Sequence, residues 1–361
     1  MKVSNLKLIN FRNYESLDLN LSEGINVFVG NNGTGKTNLV EAINFMTIGK
    51  SFRADDDKEI IKFKEEFAKI HLEFVNQRKE VLEVIISNQG KQIFRNDIKL
   101  TKLSDLSGLL LNVLFTPEDV NLFKDSPLIR RRIIDMNLSS LYRLYMNDLS
   151  QYKNLLKQRN AMLKDEDINK EVLSIITEQM IPFEYQIIKE RKKFIEEIDS
   201  LINGVFKNID NSDAKLKILY RSSLNYSDDP KEFKEQAKRK YLETLEEDIK
   251  RKSTSIGIHK DDFLMLLGGK SIATYGSQGQ NRLTALSLKL TLAKWIKEKT
   301  KQDPIIILDD VLSELDENHQ EKLIKELSGY AQVFITCAKD DIKQENINYY
   351  VVEGNRVYRR N

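Results

Sequence analysis

Apolar and polar residues alternate over 2–9 and 14–20, and with 25–29 these stretches read as three opening strands. A helix is expected from Lys36 to Ile48. Alternating runs return at FAKIHLEFV and EVLEVIIS, then a turn at Asn88-Gln89-Gly90, the run KQIF and a turn at Asn96-Asp97. This predicts an antiparallel meander over Phe67–Leu100. Beyond Pro117 the period changes. From about Ile129 to Lys252 the chain is rich in lysine, glutamate and leucine, with only Pro182, Gly204 and Pro230 as breakers, which predicts long helices. Leu138, Leu141, Tyr145, Leu149 and Tyr152 recur at helical spacing, as do Ile188, Ile195, Ile198 and Ile202, the stripes expected of helices paired antiparallel in an arm. Strand texture resumes at 216–220 and at 263–267, the latter before a Gly268-Gly269 turn. A helix at 281–297, an apolar strand at 305–308, a helix at 318–327 and a strand at 332–336 complete the pattern.

The third strand runs straight into GNNGTGKTN, which fits the phosphate-loop pattern G-x-x-x-x-G-K-[ST]. Gly30, Asn31, Asn32, Gly33, Thr34 and Gly35 would turn their backbone N–H groups, with those of Thr37 and Asn38 at the helix start, toward a nucleotide's phosphates, where the helix dipole favours negative charge. Lys36 would reach the β- and γ-phosphates, and Thr37 would place its hydroxyl on Mg²⁺. The strand 305–308 ends in Asp309-Asp310. An apolar strand delivering carboxylates at its C-terminal end is the Walker B arrangement, with Asp309 toward Mg²⁺ and Asp310 where an attacking water is oriented. Taken alone, the pair also reads as an acidic strand cap. Ser277, Gln278, Gly279 and Gln280 stand before the helix that follows them and form a second anion-binding cap.

Composition narrows the partners. Across 361 residues, 57 lysines and arginines face 55 aspartates and glutamates, so nucleic-acid contact must come from local patches. Arg130, Arg131 and Arg132, the segment around Lys192 and Lys193, and Lys238, Arg239 and Lys240 are candidates for DNA phosphates, with a solvated helix face as the competing reading. One cysteine, Cys337, excludes an internal disulfide and suits a reducing cytoplasm. No apolar run reaches the roughly 18 residues of a membrane span, so a soluble, cytoplasmic chain is expected. His259 beside Asp261 and Asp262 invites a metal reading, against which stands a hairpin with satisfied hydrogen bonds.

The order phosphate loop, S-x-G-Q, apolar strand with Asp-Asp, then Ser313-Glu-Leu-Asp316 resembles the ATP-binding-cassette family. In that family the S-x-G-Q segment of one subunit caps the γ-phosphate held by the other. About 240 residues separate Thr37 from Ser277, far more than a transporter cassette needs. An arm inserted in the head resembles the chromosome-maintenance and recombination-repair ATPases. The strings LKLINFRNYESLDL, LFTPEDVNLFKDSPLIRRRIID, GIHKDDF, YGSQGQNR and LDDVLSELD resemble the bacterial recombination mediators in that group.

The resemblance implies an α/β cassette-type head, a mixed sheet plus β meander around the phosphate loop, with an inserted helical arm. Residues 1–125 and 253–361 would form the head and 126–252 the arm. It implies a weak, DNA-stimulated ATPase that uses ATP and Mg²⁺, dimerises on ATP, binds duplex or gapped DNA and works with RecO and RecR to help RecA load at single-stranded gaps. Lys36, Ser277 and Asp310 would be its catalytic group. Arg12 resembles an arginine that touches ATP phosphate, unless it is a surface ion pair. Thr336 stands near the place of a switch histidine, as a weak γ-phosphate contact. Asp310 replaces the usual glutamate, which suits slow turnover. A transporter motor subunit and a nucleotide-gated scaffold are the alternatives.

Overall fold

A computed structural model of the chain describes residues 1–210, 212–339 and 347–360. Three strands, β1 (Lys2–Phe11), β2 (Tyr14–Asn20) and β3 (Gly24–Val29), lead into helix α1 (Lys36–Ile48). The meander follows as β4 (Phe67–Asn76), β5 (Arg78–Ser87), β6 (Gly90–Arg95) and β7 (Ile98–Lys99), with a short β8 (Asn112–Phe115) after it. Next come the helices α2 (Pro127–Leu141), α3 (Arg143–Met162) and α4 (Lys170–Ile209). Strand β9 (Leu216–Arg221) and helices α5 (Pro230–Glu243) and α6 (Leu245–Arg251) precede β10 (Asp262–Leu267), β11 (Lys270–Ser271) and α7 (Ile272–Tyr275). Helix α8 (Gln278–Thr300), β12 (Ile305–Asp309), α9 (Glu317–Leu327), β13 (Gln332–Cys337), β14 (Ile347–Glu353) and β15 (Arg356–Arg359) close the chain.

Two compact units result, one from Met1–Asp119, Gly204–Ser212 and Leu283–Asn361, the other from Val120–Asn203 and Asp213–Arg282. The first unit holds two six-stranded sheets. One is antiparallel, in the order β2-β1-β4-β5-β6-β7; the other, β15-β14-β3-β13-β12-β8, is parallel apart from β15. Every residue of β12 and β13 is buried, as expected of parallel strands covered on both faces. Helix α1 shares one core with both sheets: Leu39, Val40, Ile43 and Phe45 pack with Leu72 and Val84 of one and Phe28, Ile307 and Phe334 of the other. Being covered all round, α1 lacks a polar face over most of its length.

In the second unit α3 and α4 run antiparallel. Arg159 Nε donates to Thr177 Oγ1 at 2.9 Å and Arg191 Nε to Tyr145 Oη at 3.1 Å. Tyr152 and Glu184 meet midway, so each step moves seven residues forward on α3 and seven back on α4. A three-stranded sheet, β11-β10-β9, stands beside them.

Two expected breakers do not break. Helix α4 passes through both Pro182 and Gly204. A helix-interior proline costs about 3 kcal/mol, but Met180, Ile181, Ile187 and Ile188 next to it are at most 1% exposed, each worth about 1.5–3 kcal/mol on burial. Packing wins over local preference. Strands β8, β14 and β15 were not expected; they are short or only half-buried, so their pattern is weak.

Candidate nucleotide site

The parallel sheet brings the motif residues together. Strand β13 lies between β3 and β12, and the register pairs Thr336 with Phe28 on one side and with Asp309 on the other. The phosphate loop and Asp309 therefore leave the same sheet edge one strand apart.

The loop depends on two glycines. Gly35, at φ +104°, caps α1, and a Cβ there would lie 2.5 Å from the Asn13 amide and 3.0 Å from Tyr14 Oη. A Cβ on Gly30 would lie 2.3 Å from the Val352 carbonyl oxygen. Asn31, Asn32 and Gly33 form the exposed tip, and Thr34 Oγ1 donates to the Asn31 carbonyl at 2.9 Å. No side chain caps α1 and no acidic residue sits in its first turn, so no carboxylate competes with an anion there, although the Asn38 N–H turns back to the Gly35 carbonyl at 3.0 Å. Lys36 Nζ donates to the carbonyls of Gly30 and Asn31 at 2.7 and 2.8 Å, and burial holds its pKa below that of a free lysine.

Thr37 Oγ1 donates to Asp309 Oδ1 at 2.8 Å. Thr336 is fully buried; its hydroxyl donates to the same Oδ1 at 2.7 Å and accepts the Asp310 N–H at 2.9 Å. Its proton and one lone pair are thus engaged in orienting the Walker B pair rather than turned to a phosphate. Asp310 sits at φ +53°, a left-handed backbone that a non-glycine residue adopts at some cost. Burial raises the Asp309 pKa although both threonine hydroxyls pull it down. A buried carboxylate beside a hydroxyl is a set of hard oxygen donors that suits Mg²⁺.

Sequence reasoning missed the collar around the loop. Asn13 donates to the Thr34 carbonyl at 3.2 Å and accepts from Asn38 Nδ2 at 2.7 Å, while Tyr14 Oη donates to the Gly35 carbonyl at 3.2 Å. Arg12 is neither free nor a surface pair: its guanidinium grips the fully buried Glu41 with bonds of 3.0 and 2.6 Å. The FRNY string next to the loop was the available signal.

In the second unit, Ser277 and Gln280 form a capping box at the start of α8: the Gln280 N–H donates to Ser277 Oγ at 3.2 Å and the Ser277 N–H to Gln280 Oε1 at 2.9 Å. Ser277, Gln278, Gly279 and Gln280 are all exposed. Asn281 behind them is fully buried and donates to the carbonyls of Gly276 and Ser277.

The basic clusters divide. Arg130 leaves the set of DNA candidates, because its guanidinium is buried on Asp262 and on the carbonyls of Leu122, Phe123 and Asp125. Arg131 bonds the Asp261 carbonyl at 2.7 Å, Lys192 covers the Tyr226 ring at 4.1 Å, Lys238 pairs with Glu178 and Arg239 with Glu243. Arg132 and Lys193 are exposed, and Lys240 is half-buried. His259 holds no metal geometry. Its Nε2 donates to the Thr254 carbonyl at 3.0 Å and its Nδ1 accepts from Tyr152 Oη at 2.7 Å, and burial lowers its pKa to about 4. Among the described residues no helix is long and apolar enough to cross a membrane.

The family model described as RecF/RecN/SMC N terminal domain matches residues 2–357. A DNA replication and repair protein RecF from Clostridium perfringens is 38% identical over 99% of this chain and 98% of its own length. The chain belongs to the RecF family. The RecF of Bacillus subtilis is 36% identical, over 94% of each chain. A solved structure of the recombination mediator protein RecF with ATP, in the RecFOR pathway, is 32% identical with a TM-score of 0.90, covering 99% of this chain and 97% of that one. An Smc head bound to the C-winged helix domain of ScpA, 17% identical with a TM-score of 0.59, shares the fold alone. The α/β head is therefore that of the RecF and SMC ATPases, a group that binds and hydrolyses ATP.

Proposed function

We infer that the chain is an ATP-dependent DNA-binding recombination mediator, a weak DNA-stimulated ATPase that dimerises on ATP and acts in the cytoplasm with RecO and RecR to promote RecA loading at single-stranded gaps. The observation that carries this is the exposed start of α8, where Ser277–Gln280 keep the S-x-G-Q string that in cassette ATPases caps the γ-phosphate held by the other subunit. A second copy supplies the triphosphate for it to cap, so each ATP is closed by two chains. That gives ATP differential affinity for the dimer and makes the pairing isologous.

Thr37 and Asp309 would hold Mg²⁺, which when bound offsets charge on the β- and γ-phosphates. Lys36 exchanges its two carbonyl partners for phosphate oxygens. Asp310 orients a water whose oxygen attacks the γ-phosphorus as the bond to the bridging oxygen of ADP breaks, leaving ADP and phosphate. Its side chain is one methylene shorter than glutamate, so the water is held less closely and turnover is slow.

The test is steady-state ATP hydrolysis with and without gapped duplex DNA across a salt series. Slow hydrolysis that DNA accelerates at low salt is the expected result. ATP binding with no hydrolysis in either condition would replace this reading with the nucleotide-gated scaffold.

A further inference from the structure

Glu41 is completely buried, yet it lies on α1 only four residues after Thr37 and faces two arginines. Arg12 reaches it with Nε at 3.0 Å and Nη2 at 2.6 Å, and the Arg53 Nη1 is 3.9 Å from the same carboxylate. Ser51 donates its hydroxyl to Glu41 and accepts the N–H groups of Arg53 and Ala54, both at 2.9 Å. The contacts close a ring. Arg53 Nη1 donates to Asn38 Oδ1 at 3.1 Å, Asn38 Nδ2 to Asn13 Oδ1 at 2.7 Å, and Asn13 adjoins Arg12 in the tight turn between β1 and β2. From that ring Asn13 and Tyr14 reach the carbonyls of Thr34 and Gly35 in the phosphate loop.

Charge decides what the ring is for. Two guanidinium groups share one carboxylate, which leaves one positive charge over beside the loop. Both arginines keep open sides, with 20% and 48% of their side chains exposed while that of Glu41 is 0% exposed. Asp309 already feels Arg53, whose field lowers its pKa against the rise from burial. A buried ion pair is a weak source of stability, because desolvation of both charges offsets their attraction. What Glu41 contributes is place. Arg12 even adopts φ +54° at the turn while it spans Glu41 and the Glu59 carbonyl.

We propose that Glu41 is a positioning residue for nucleotide binding, a single buried carboxylate that fixes Arg12 and Arg53 around the phosphate loop so that their surplus positive charge meets the polyphosphate. It rests on the reading of this loop as the ATP site. Glu41 touches no reacting atom, so it sets affinity and leaves the chemical step alone.

The experiment uses the full chain with Glu41→Gln, Arg53→Gln and the double variant. Equilibrium titration with a fluorescent N-methylanthraniloyl ATP gives Kd, steady-state hydrolysis gives KM and kcat, and a thermal melt of each variant checks folding. Glu41→Gln is expected to raise Kd and KM about tenfold, the size of one charge-assisted hydrogen bond, with kcat within about twofold. Arg53→Gln moves them the same way by less, and the double variant is no weaker than Glu41→Gln alone. A folded Glu41→Gln chain with unchanged Kd, or two effects that multiply, overturns the proposal. If Glu41→Gln does not fold, the cycle of Arg53→Gln with Asn38→Ala decides on the same criterion, since both act through the ring. A wild-type chain that binds no ATP overturns the nucleotide reading itself, a failure distinct from that of Glu41.

Discussion

Thr37 Oγ1 donates a 2.8 Å hydrogen bond to Asp309 Oδ1, joining residues 272 positions apart in the chain. Asp309 receives a second hydroxyl from Thr336, and burial still raises its pKa. The charged form of Asp309 is thus less favourable in the fold than in the unfolded chain. The unfolded chain gives up this proton at lower pH than the folded one, so Asp309 costs stability once pH passes its unfolded value. Asp309→Asn should raise the melting temperature of the nucleotide-free protein at neutral pH by about 2 °C, and should abolish any further stabilisation by Mg²⁺ with ATP. Differential scanning fluorimetry with and without both ligands checks it; a fall in melting temperature would contradict it.

Glu184 and His259 both face Tyr152, and burial shifts them in opposite directions. Glu184 rises from 4.5 to about 7, so between those values the unfolded chain has lost a proton that the fold keeps, and stability falls as pH rises. His259 drops from 6.5 to about 4, so the unfolded chain gains a proton that the fold refuses, and stability falls as pH falls through that window. The two slopes oppose each other from 4.5 to 6.5. Glu184→Gln should expose the histidine's slope: relative to wild type, its stability should rise by about 1.4 kcal/mol per pH unit across the Glu184 window. Urea melts at pH 5, 6 and 7 measure this, and a constant difference would rule it out.

Arg130 and Arg132 are neighbours in sequence with opposite environments, one buried on Asp262 and one exposed. Arg130→Ala strands a part-buried carboxylate and should destabilise the fold by about 3 kcal/mol. Arg132→Ala should leave the melt unchanged while reducing by about one the slope of log affinity against log salt for DNA. A shared effect on stability, or an unchanged salt slope for Arg132→Ala, would remove that arginine from the DNA surface.

These neighbours also mark what a sequence can disclose. The strands β3, β12 and β13, helix α1 and the meander follow from local periodicity, and the loop Gly30–Thr37 and Asp309 follow from motifs whose spacing is itself the chemistry. Pairing over distance does not. Nothing local distinguishes Arg130 from Arg132, because the carboxylate that claims Arg130 lies 132 positions away. Arg12 and Glu41 meet across the β1–β2 turn and α1, and Thr336 turns to Asp309 only because β13 lies beside β12. Pro182 misleads for a related reason: the burial that carries α4 through it comes from contacts no window of sequence contains.

Light scattering on a sizing column, with and without ATP and Mg²⁺, tests the central claim most directly when wild type is compared with Ser277→Arg. Ser277 is exposed and bonds Gln280, while Asp309 is held by Thr37 and Thr336. The account predicts that wild type doubles its mass only with ATP, and that Ser277→Arg binds ATP with wild-type affinity yet keeps the mass of one chain. A Ser277→Arg chain that still doubles its mass with ATP would contradict it.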